Sequence, residues 1–314
     1  MHRRRIQLIA GATYSVSLPK EWVKKNRLKP KQEVQITENV DGSLLITPHA
    51  SESTEWTDVT LNVDRYLDSI EQIIFAVYYQ GAENINLYSK EKMSKEIKSR
   101  IRKANTQMIG TEVTHEDSKR IHIKILLDKR KVDVIQTFYR ISILIDSSLA
   151  NLKEGLDIDE IRINENEIDR LYHLITKIIA LSLTDTNILH SSKIENISLI
   201  PSYFLMAKRL ENIGDNIKHM SEYLHESQKQ MSFQMLRPIQ DELIRCIKYL
   251  RSKNKEIFPK ICPVLLDKIT KSIDTVKDRI VYSYLDDILR YLIDIQVEII
   301  KMSFYNQASR KGRA

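Results

Sequence analysis

The stretch Arg209-Leu-Glu-Asn-Ile-Gly-Asp-Asn216 decides how the C-terminal half of this chain is interpreted. Glu211 and Asp215 are four residues apart in it, and Glu165 and Asp169 show the same spacing earlier in the chain. On an α-helix this spacing places both carboxylates on one face, one turn apart. Two such helices packed side by side would bring four carboxylates together. Because like charges repel, a bound cation is the usual remedy.

From Val132 onwards the sequence has the pattern of long helices, with apolar residues recurring at intervals of three and four. The predicted helices cover about 132–153, 158–184, 194–227, 235–254, 261–280 and 281–308. Three helices followed by three helices indicate a duplicated three-helix bundle, about 130–228 and 233–308.

Around Glu211 the helix has an apolar stripe, which should face the core. The stripe consists of Met206, Leu210, Ile213, Ile217 and Met220. At about 100 degrees per residue, Glu211 and Asp215 fall on the opposite side and are predicted to be surface carboxylates. From spacing alone, the ordinary polar face of an amphipathic helix is the simpler explanation of these acids.

The residues around both acid pairs change that balance, because they resemble the helix motifs of the PhoU family. Glu165-Asn-Glu-Ile-Asp169 resembles its second-helix motif, and Arg209 to Asn216 resembles its third-helix signature. The resemblance implies a multinuclear metal cluster and a role in phosphate homeostasis, with Glu165, Asp169, Glu211 and Asp215 as candidate ligands. Oxygen-only ligands suit hard cations such as Mg²⁺, Ca²⁺, Mn²⁺ or iron and argue against a structural zinc site. The sequence leaves the identity open among Fe, Mn, Mg, Ca and Zn.

The second helical half departs from this pattern. Thr270 stands where the alignment would require the counterpart of Glu165, and the last helix lacks the counterparts of Glu211 and Asp215. Asp274 and Asp278 are four apart, as are Asp294 and Glu298, but both pairs are out of register. We therefore expect one competent metal site and a degenerate second half.

Residues 1–50 predict a small ββαββ module. Alternating residues precede and follow Gly11, Pro19 leads a short helix, and two further strands flank the hairpin signal at residues 39–42. The stretch from Gly11 to Val23 resembles the core of the AbrB/MazE-type swapped-hairpin domain. The resemblance implies that two chains interleave into a homodimer and that the first hairpin contacts DNA.

Arg3, Arg4, Arg5 and Lys20 are the candidate DNA contacts under that resemblance. The formal charge of residues 1–50 is +5, out of +7 for the whole chain, and such a cluster attracts phosphate backbones. The alternative is a dimerisation domain with a solvated basic arm. The basic C-terminal end is explained more simply as a solubilising tail.

Between these parts, residues 54–128 predict a small two-layer α/β domain with the order β-α-β-α-β-β. It shows no phosphate loop and no catalytic set, so we interpret it as a connecting domain. The whole chain is thus expected to be an α+β multidomain protein, with helix dominant because only 7 Gly and 7 Pro occur in 314 residues. No membrane span is apparent, and Cys246 and Cys262 suggest free thiols in a reducing cytoplasm.

The combination resembles archaeal regulators that fuse an AbrB-like domain to a PhoU domain. It implies a cytoplasmic, dimeric, DNA-binding regulator of phosphate uptake that is not an enzyme. The alternative is a signalling adaptor that regulates a phosphate transporter, or its regulatory proteins, by protein contact. A helical-bundle metal enzyme is disfavoured at this stage, because such enzymes bury their acids between helices and these acids are predicted on the outer face.

Overall fold

The computed structural model describes residues 3–9, 11–38, 43–48, 57–229, 233, 236–252 and 256–311. The chain divides into two compact units, Met1–Glu55 and Trp56–Ala314. The second unit contains both the mixed α/β part and the helical part. The three domain boundaries proposed above, 1–50, 54–128 and 130–308, stay predictions.

The first unit has the predicted ββαββ order. Its elements are β1 (Gln7–Ile9), β2 (Thr13–Ser15), α1 (Lys20–Lys25), β3 (Val34–Glu38) and β4 (Leu44–Pro48). β1 pairs with β2 and β3 with β4, both antiparallel. Gly11 has a φ of +71° in the first turn, a conformation that favours glycine. The predicted turn at residues 39–42 lies outside the described residues.

The apolar side chains of this unit are not covered by the chain itself. None of its described residues is buried. Leu8, Ile36 and Leu44 are 56%, 58% and 63% exposed. A module with two short hairpins therefore leaves its apolar residues available for another surface.

The second unit begins with a four-stranded sheet and two helices. These are β5 (Asp58–Asn62), α2 (Ile70–Tyr79), β6 (Asn84–Tyr88), α3 (Lys95–Gln107), β7 (Thr111–Glu116) and β8 (Arg120–Ile125). The strand order is β5-β6-β8-β7, with β5 and β6 parallel and the other pairs antiparallel. Alternate residues such as Ile85, Leu87, Ile121 and Ile123 are buried with α2 and α3 in one cluster. The β-α-β-α-β-β order confirms the prediction. The sheet face turned away from α2 and α3 carries polar residues.

The helical part follows the predicted pattern closely. Its helices are α4 (Val134–Glu154), α5 (Ile158–Ser182), α6 (Thr186–Ser191), α7 (Ile200–Glu226), α8 (Leu236–Arg251), α9 (Pro263–Asp274) and α10 (Arg279–Lys311). The short α6 was not predicted. The helix expected from residue 194 begins at Ile200, because Asn196 caps a 3-10 turn before it and Pro201 lies in its first turn. One buried cluster runs from Val134 to Met302, so the two predicted bundles share a continuous core.

The α/β part packs directly on α5. Lys177 on α5 is 2% exposed, and its Nζ donates to the backbone oxygen of Tyr78 on α2 at 2.6 Å. The same ammonium lies 4.1 Å from the centre of the Tyr78 ring. α2 therefore covers one face of α5, while α4 and α7 cover others. Of the helices that the structure describes, none combines the length and apolarity needed to cross a membrane.

Candidate metal centre

The predicted acid pairs lie on two helices that contact each other. Glu165 and Asp169 are on α5, where Asp157 caps the first turn, and Asp215 is on α7. Gly214 on α7 packs against Ile168 on α5, so the two helices approach closely beside these acids. The apolar stripe of α7 is buried as predicted, from Met206 to Met220.

Three of the four predicted residues come together. Glu165, Asp169 and Asp215 each offer a carboxylate oxygen, and these three oxygens lie within 4.8 Å of one another. Glu165 is only 5% exposed. We call these three residues the carboxylate cluster. Among the described residues, it is the one group of three or more His, Cys, Asp or Glu side chains close enough to hold a metal ion.

Glu211 lies beside the cluster but is directed to a lysine. Lys208 Nζ donates to both carboxylate oxygens of Glu211, at 2.6 and 2.7 Å. On the other side, Lys218 Nζ donates to Glu165 Oε1 at 2.6 Å. Two lysines thus face four carboxylates. The local charge remains negative when all four acids are ionised.

The electrostatics of Asp169 show the cost of this crowding. Burial is the largest cause that raises the pKa of Asp169 to about 7; the charges of Glu165, Asp215 and Glu211 contribute to the rise, and Lys218 opposes it. Burial also raises the pKa of Glu211, with Asp215 and Glu165 adding to the rise while Lys208 opposes it. Both shifts mean that the site disfavours its own negative charge in the absence of a compensating cation.

Glu211 and Asp215 were expected to face solvent; this was wrong for Glu211, and Asp215 is half-buried. Glu211 is 9% exposed and Glu165 is buried. α2 and α3 of the α/β part pack on α5, the helix that carries Glu165. Gln107 at the end of α3 approaches Asp169, with Nε2 at 3.5 Å from Oδ2. Helix periodicity cannot reveal such a cover, since the covering residues are distant in sequence.

The cover includes an aromatic group that sequence analysis missed. Phe75 on α2 stacks on His173 of α5, with ring centres 4.0 Å apart, and the Tyr79 hydroxyl is hydrogen-bonded to His173 Nδ1. Burial, with a smaller contribution from the charge of Lys208, lowers the pKa of His173 to about 4. His173 therefore acts as a neutral packing residue one turn beyond Asp169. The apolar residues of α2 were the only signal for this contact in the sequence.

The donor set fits a hard metal ion. All three cluster donors are carboxylates, and Asp215 has neither an ion pair nor a hydrogen bond with the residues that the structure describes. A divalent cation would neutralise charge that the two lysines leave uncompensated. Glu165, Asp169 and Asp215 would hold it, with Glu211 next to them.

The acids of the second helical half have other partners. Asp278 caps α10 by accepting from Ile280 N and Val281 N at 3.0 and 3.2 Å. Asp294 pairs with Arg209 at 2.9 Å. The buried Glu298 accepts from the Ser202 hydroxyl at 2.7 Å. These contacts account for three of the four out-of-register acids as capping or pairing residues.

The candidate DNA contacts lie on the surface of the first unit. Arg3, Arg4, Arg5 and Lys20 are exposed, and none of them forms an ion pair with another described residue. Lys20 is the first residue of α1, which Pro19 caps. All four charges are therefore free to meet phosphates.

Two family models match the chain, one in each unit. Residues 142–224, which contain the carboxylate cluster, match the PhoU domain. Residues 7–54 match the MazE antitoxin model, described as antidote-toxin recognition. These matches confirm the predicted combination of an AbrB/MazE-like module with a PhoU domain. Neither a curated protein nor a solved structure shows significant similarity to the chain.

Proposed function

We propose that this protein is a DNA-binding regulator of phosphate uptake whose PhoU domain binds a metal ion. The observation that carries the proposal is the presence of both domains in one chain, with the acids of the PhoU segment gathered into the carboxylate cluster. A MazE-like module suggests DNA binding, and a PhoU domain suggests phosphate homeostasis.

Charge and exposure support the DNA-binding part. Four unpaired cations lie at the start of the first unit, and the apolar residues of its strands are uncovered. Pairing with a second copy would cover those residues and double the positive surface. Arg3, Arg4, Arg5 and Lys20 are proposed to contact phosphates, because guanidinium and ammonium groups bind them through charge-assisted hydrogen bonds.

The carboxylate cluster supports the metal-binding part. A bound cation would relieve the repulsion among Glu165, Asp169 and Asp215 and would tie α5 to α7. Because α2 and α3 lie over the same face, metal binding would also fix the α/β part against the helices. We do not assign catalysis to this centre. Glu165 and Glu211 are buried, as the acids of helical-bundle metal enzymes are, so their position does not argue against an enzyme. We propose a non-enzymatic role because the two matched families are regulatory.

A specific observation favours a second candidate. The MazE description concerns recognition of a protein, and the uncovered apolar residues of the first unit fit a protein surface as well as a second copy. Under this alternative the chain is an adaptor that acts on a phosphate transporter by contact, and the N-terminal module only joins subunits.

Electrophoretic mobility shifts separate the two candidates. The labelled DNA should be the regions upstream of the chain's own gene and of phosphate-transport genes, tested at several salt concentrations. The regulator is expected to shift at least one of them in preference to random DNA, with an affinity that falls as salt rises. Equal affinity for random and upstream DNA would favour the adaptor.

A further inference from the structure

The face of the sheet turned away from α2 and α3 is polar throughout. Along β6 and β8 the outward residues alternate with the buried Ile85, Leu87, Ile121 and Ile123. Tyr88 pairs directly with Arg120 across the β6–β8 ladder. Asn86 pairs in the same way with His122, and Thr60 on β5 lies beside Asn86. Five polar side chains therefore form two adjacent rows on one rigid surface.

A cavity of about 320 Å³ opens on this surface. Its walls include Thr60, Asn86, Tyr88, Lys119, Arg120 and His122, and we call it the β6–β8 cavity. It lies toward the carboxyl ends of the parallel strands β5 and β6, where open α/β sheets commonly bind ligands. The volume lies at the lower end of the range for small-molecule sites.

The charge of this cavity is positive. Lys119 and Arg120 line it, and no carboxylate does so among the described residues. Arg100 and Arg102 of the same α/β part pair with Glu71 and Glu116, whereas Arg120 has no side-chain partner among the residues described.

Two acids beside the cavity walls are already engaged in hydrogen bonds. Asp117 Oδ1 accepts from Lys119 N and Arg120 N at 2.7 and 2.8 Å, which lowers the pKa of Asp117. Asp64 accepts from Lys90 N at 3.0 Å and from Ser89 Oγ at 2.6 Å. Both carboxylates thus shape the rim and leave the guanidinium of Arg120 uncompensated.

The rim is held together by hydrogen bonds between distant segments. Ser89 N donates to Lys119 O at 2.9 Å, and Lys119 Nζ donates to Lys90 O at 2.6 Å. The backbone after β6 is therefore tied to the turn before β8. These bonds preform the wall, so binding would cost little ordering.

The remaining walls suit a planar polar ring. Tyr88 is 40% exposed and offers an aromatic face beside Arg120. Asn86 and Thr60 offer an amide and a hydroxyl, and neither side chain has a hydrogen-bond partner among the described residues. Aromatic stacking together with amide hydrogen bonds is a common way to bind a nucleobase.

We propose that the β6–β8 cavity binds a small phosphate ester that carries a planar ring, the chemistry of a mononucleotide. Arg120 and Lys119 bind the phosphate, Tyr88 stacks on the ring, and Asn86 and Thr60 meet its polar edge. The cavity shares no residue with the carboxylate cluster or with the basic arm, and the proposal does not depend on the proposed function.

Calorimetric titration of the full chain tests the proposal, with AMP, ribose 5-phosphate, adenosine and inorganic phosphate as the probes. A chelator in the buffer keeps metal out of the carboxylate cluster, so a phosphate–metal contact there cannot contribute. AMP is expected to bind once per chain and more tightly than any of the other three probes. Ribose 5-phosphate and adenosine separate the phosphate contact from the ring contact.

Two variants and one control assign the binding to the cavity. Arg120→Gln should weaken AMP by about tenfold or more, because a charge-assisted contact to the phosphate is lost. Tyr88→Ala should weaken AMP and adenosine but leave ribose 5-phosphate unchanged. Lys124→Gln removes the same charge from the same face of β8, outside the cavity walls, and should bind AMP as the parent does.

Three results would overturn the proposal: no heat with AMP, unchanged affinity in Arg120→Gln, or equal losses in Arg120→Gln and Lys124→Gln. If inorganic phosphate binds as tightly as AMP, the proposed contacts between the cavity and a planar ring are wrong.

Discussion

Gly214 on α7 lies so close to Ile168 on α5 that a Cβ added to the glycine would be 3.1 Å from Ile168 Cδ1. The neighbouring residues Asp169 and Asp215 belong to the carboxylate cluster. The missing side chain therefore sets the separation of the two helices at the level of the candidate metal ligands.

Gly214→Ala should loosen the candidate metal centre. In a free helix interior this change stabilises by about 1 kcal/mol, but here Ile168 must move or the helices must separate. We expect metal affinity to fall by about tenfold, the scale found when residues that orient metal ligands are changed. Gly155→Ala is the control, because a Cβ there meets nothing within 4 Å. Adding Ile168→Val, which deletes Cδ1, should restore affinity, and failure to do so would contradict this explanation.

Lys177 should make stability depend on pH in the alkaline range. Burial, together with the charge of Lys129 and against that of Glu83, lowers its pKa from 10.5 to about 8. Between these two values the unfolded chain holds a proton that the folded chain lacks, so stability rises as pH rises from about 8 to about 10.5. Urea unfolding across this range should show the rise in the parent. The rise should be smaller in Lys177→Met and unchanged in Lys153→Met, an exposed lysine on α4.

The uncovered apolar residues of the first unit predict a homodimer. Light scattering should give twice the chain mass of 36.8 kDa. Replacing Leu8 and Ile36 by Ser should yield monomers, because burial of these exposed side chains provides the association energy. Val264→Ser changes an equally apolar residue of the second unit, 77% exposed, and should leave the dimer intact. A parent protein that is monomeric at all concentrations would rule out the swapped-hairpin assembly.

The basic arm should control DNA binding and its salt dependence. Replacing Arg3, Arg4 and Arg5 by Ala should weaken binding strongly, and each lost phosphate contact should reduce the slope of log K against log salt by about 0.9. A control variant removes three charges from exposed lysines of the helical part, at positions 153, 248 and 260. If both triple variants bind equally well at every salt concentration, the arm does not contact DNA.

Much of the fold was predictable because it depends on local patterns. The start of α5 at Ile158 follows from Asp157 as a cap, and the buried stripe of α7 follows from its spacing. Gly11 and Pro19 marked the turn and the helix of the first unit. In each case the information lies within a few residues of the element.

What escaped prediction depends on contacts between distant segments. Glu211 was expected in solvent but is buried, and the neighbouring α5 is covered by α2 and α3, which lie far earlier in the chain. Lys177 gave no sign that it would be buried under Tyr78. Asp278 and Asp274 are four residues apart, which would place them on one helix face. The helix α9 ends at Asp274, however, and Asp278 caps the next helix, α10.

Replacing Glu211 and replacing Asp215 should lower the metal affinity of the candidate centre to different extents. Lys208 holds both carboxylate oxygens of Glu211, so Glu211→Gln should reduce metal affinity less than Asp215→Asn does. The double variant should melt at a higher temperature than the chelated parent, because it removes two of the repelling charges. Calorimetric metal titrations and melting curves of the single variants measure the order. A larger loss of affinity in Glu211→Gln than in Asp215→Asn would place the ion nearer to Glu211 than to Asp215, which would contradict this prediction.

The metal content of the purified protein tests the central claim most directly. The chain is stripped with chelator, supplied with Mg²⁺, Mn²⁺, Fe and Zn²⁺ in turn, desalted and subjected to elemental analysis. We expect retained metal in the parent, with a higher melting temperature, and none in Asp169→Asn with Asp215→Asn. Replacing Asp267 and Asp286 by Asn is the matched control and should retain metal, because both form ion pairs elsewhere in the helical part, with side chains 60% and 38% exposed. A parent that retains none of these ions would contradict the account.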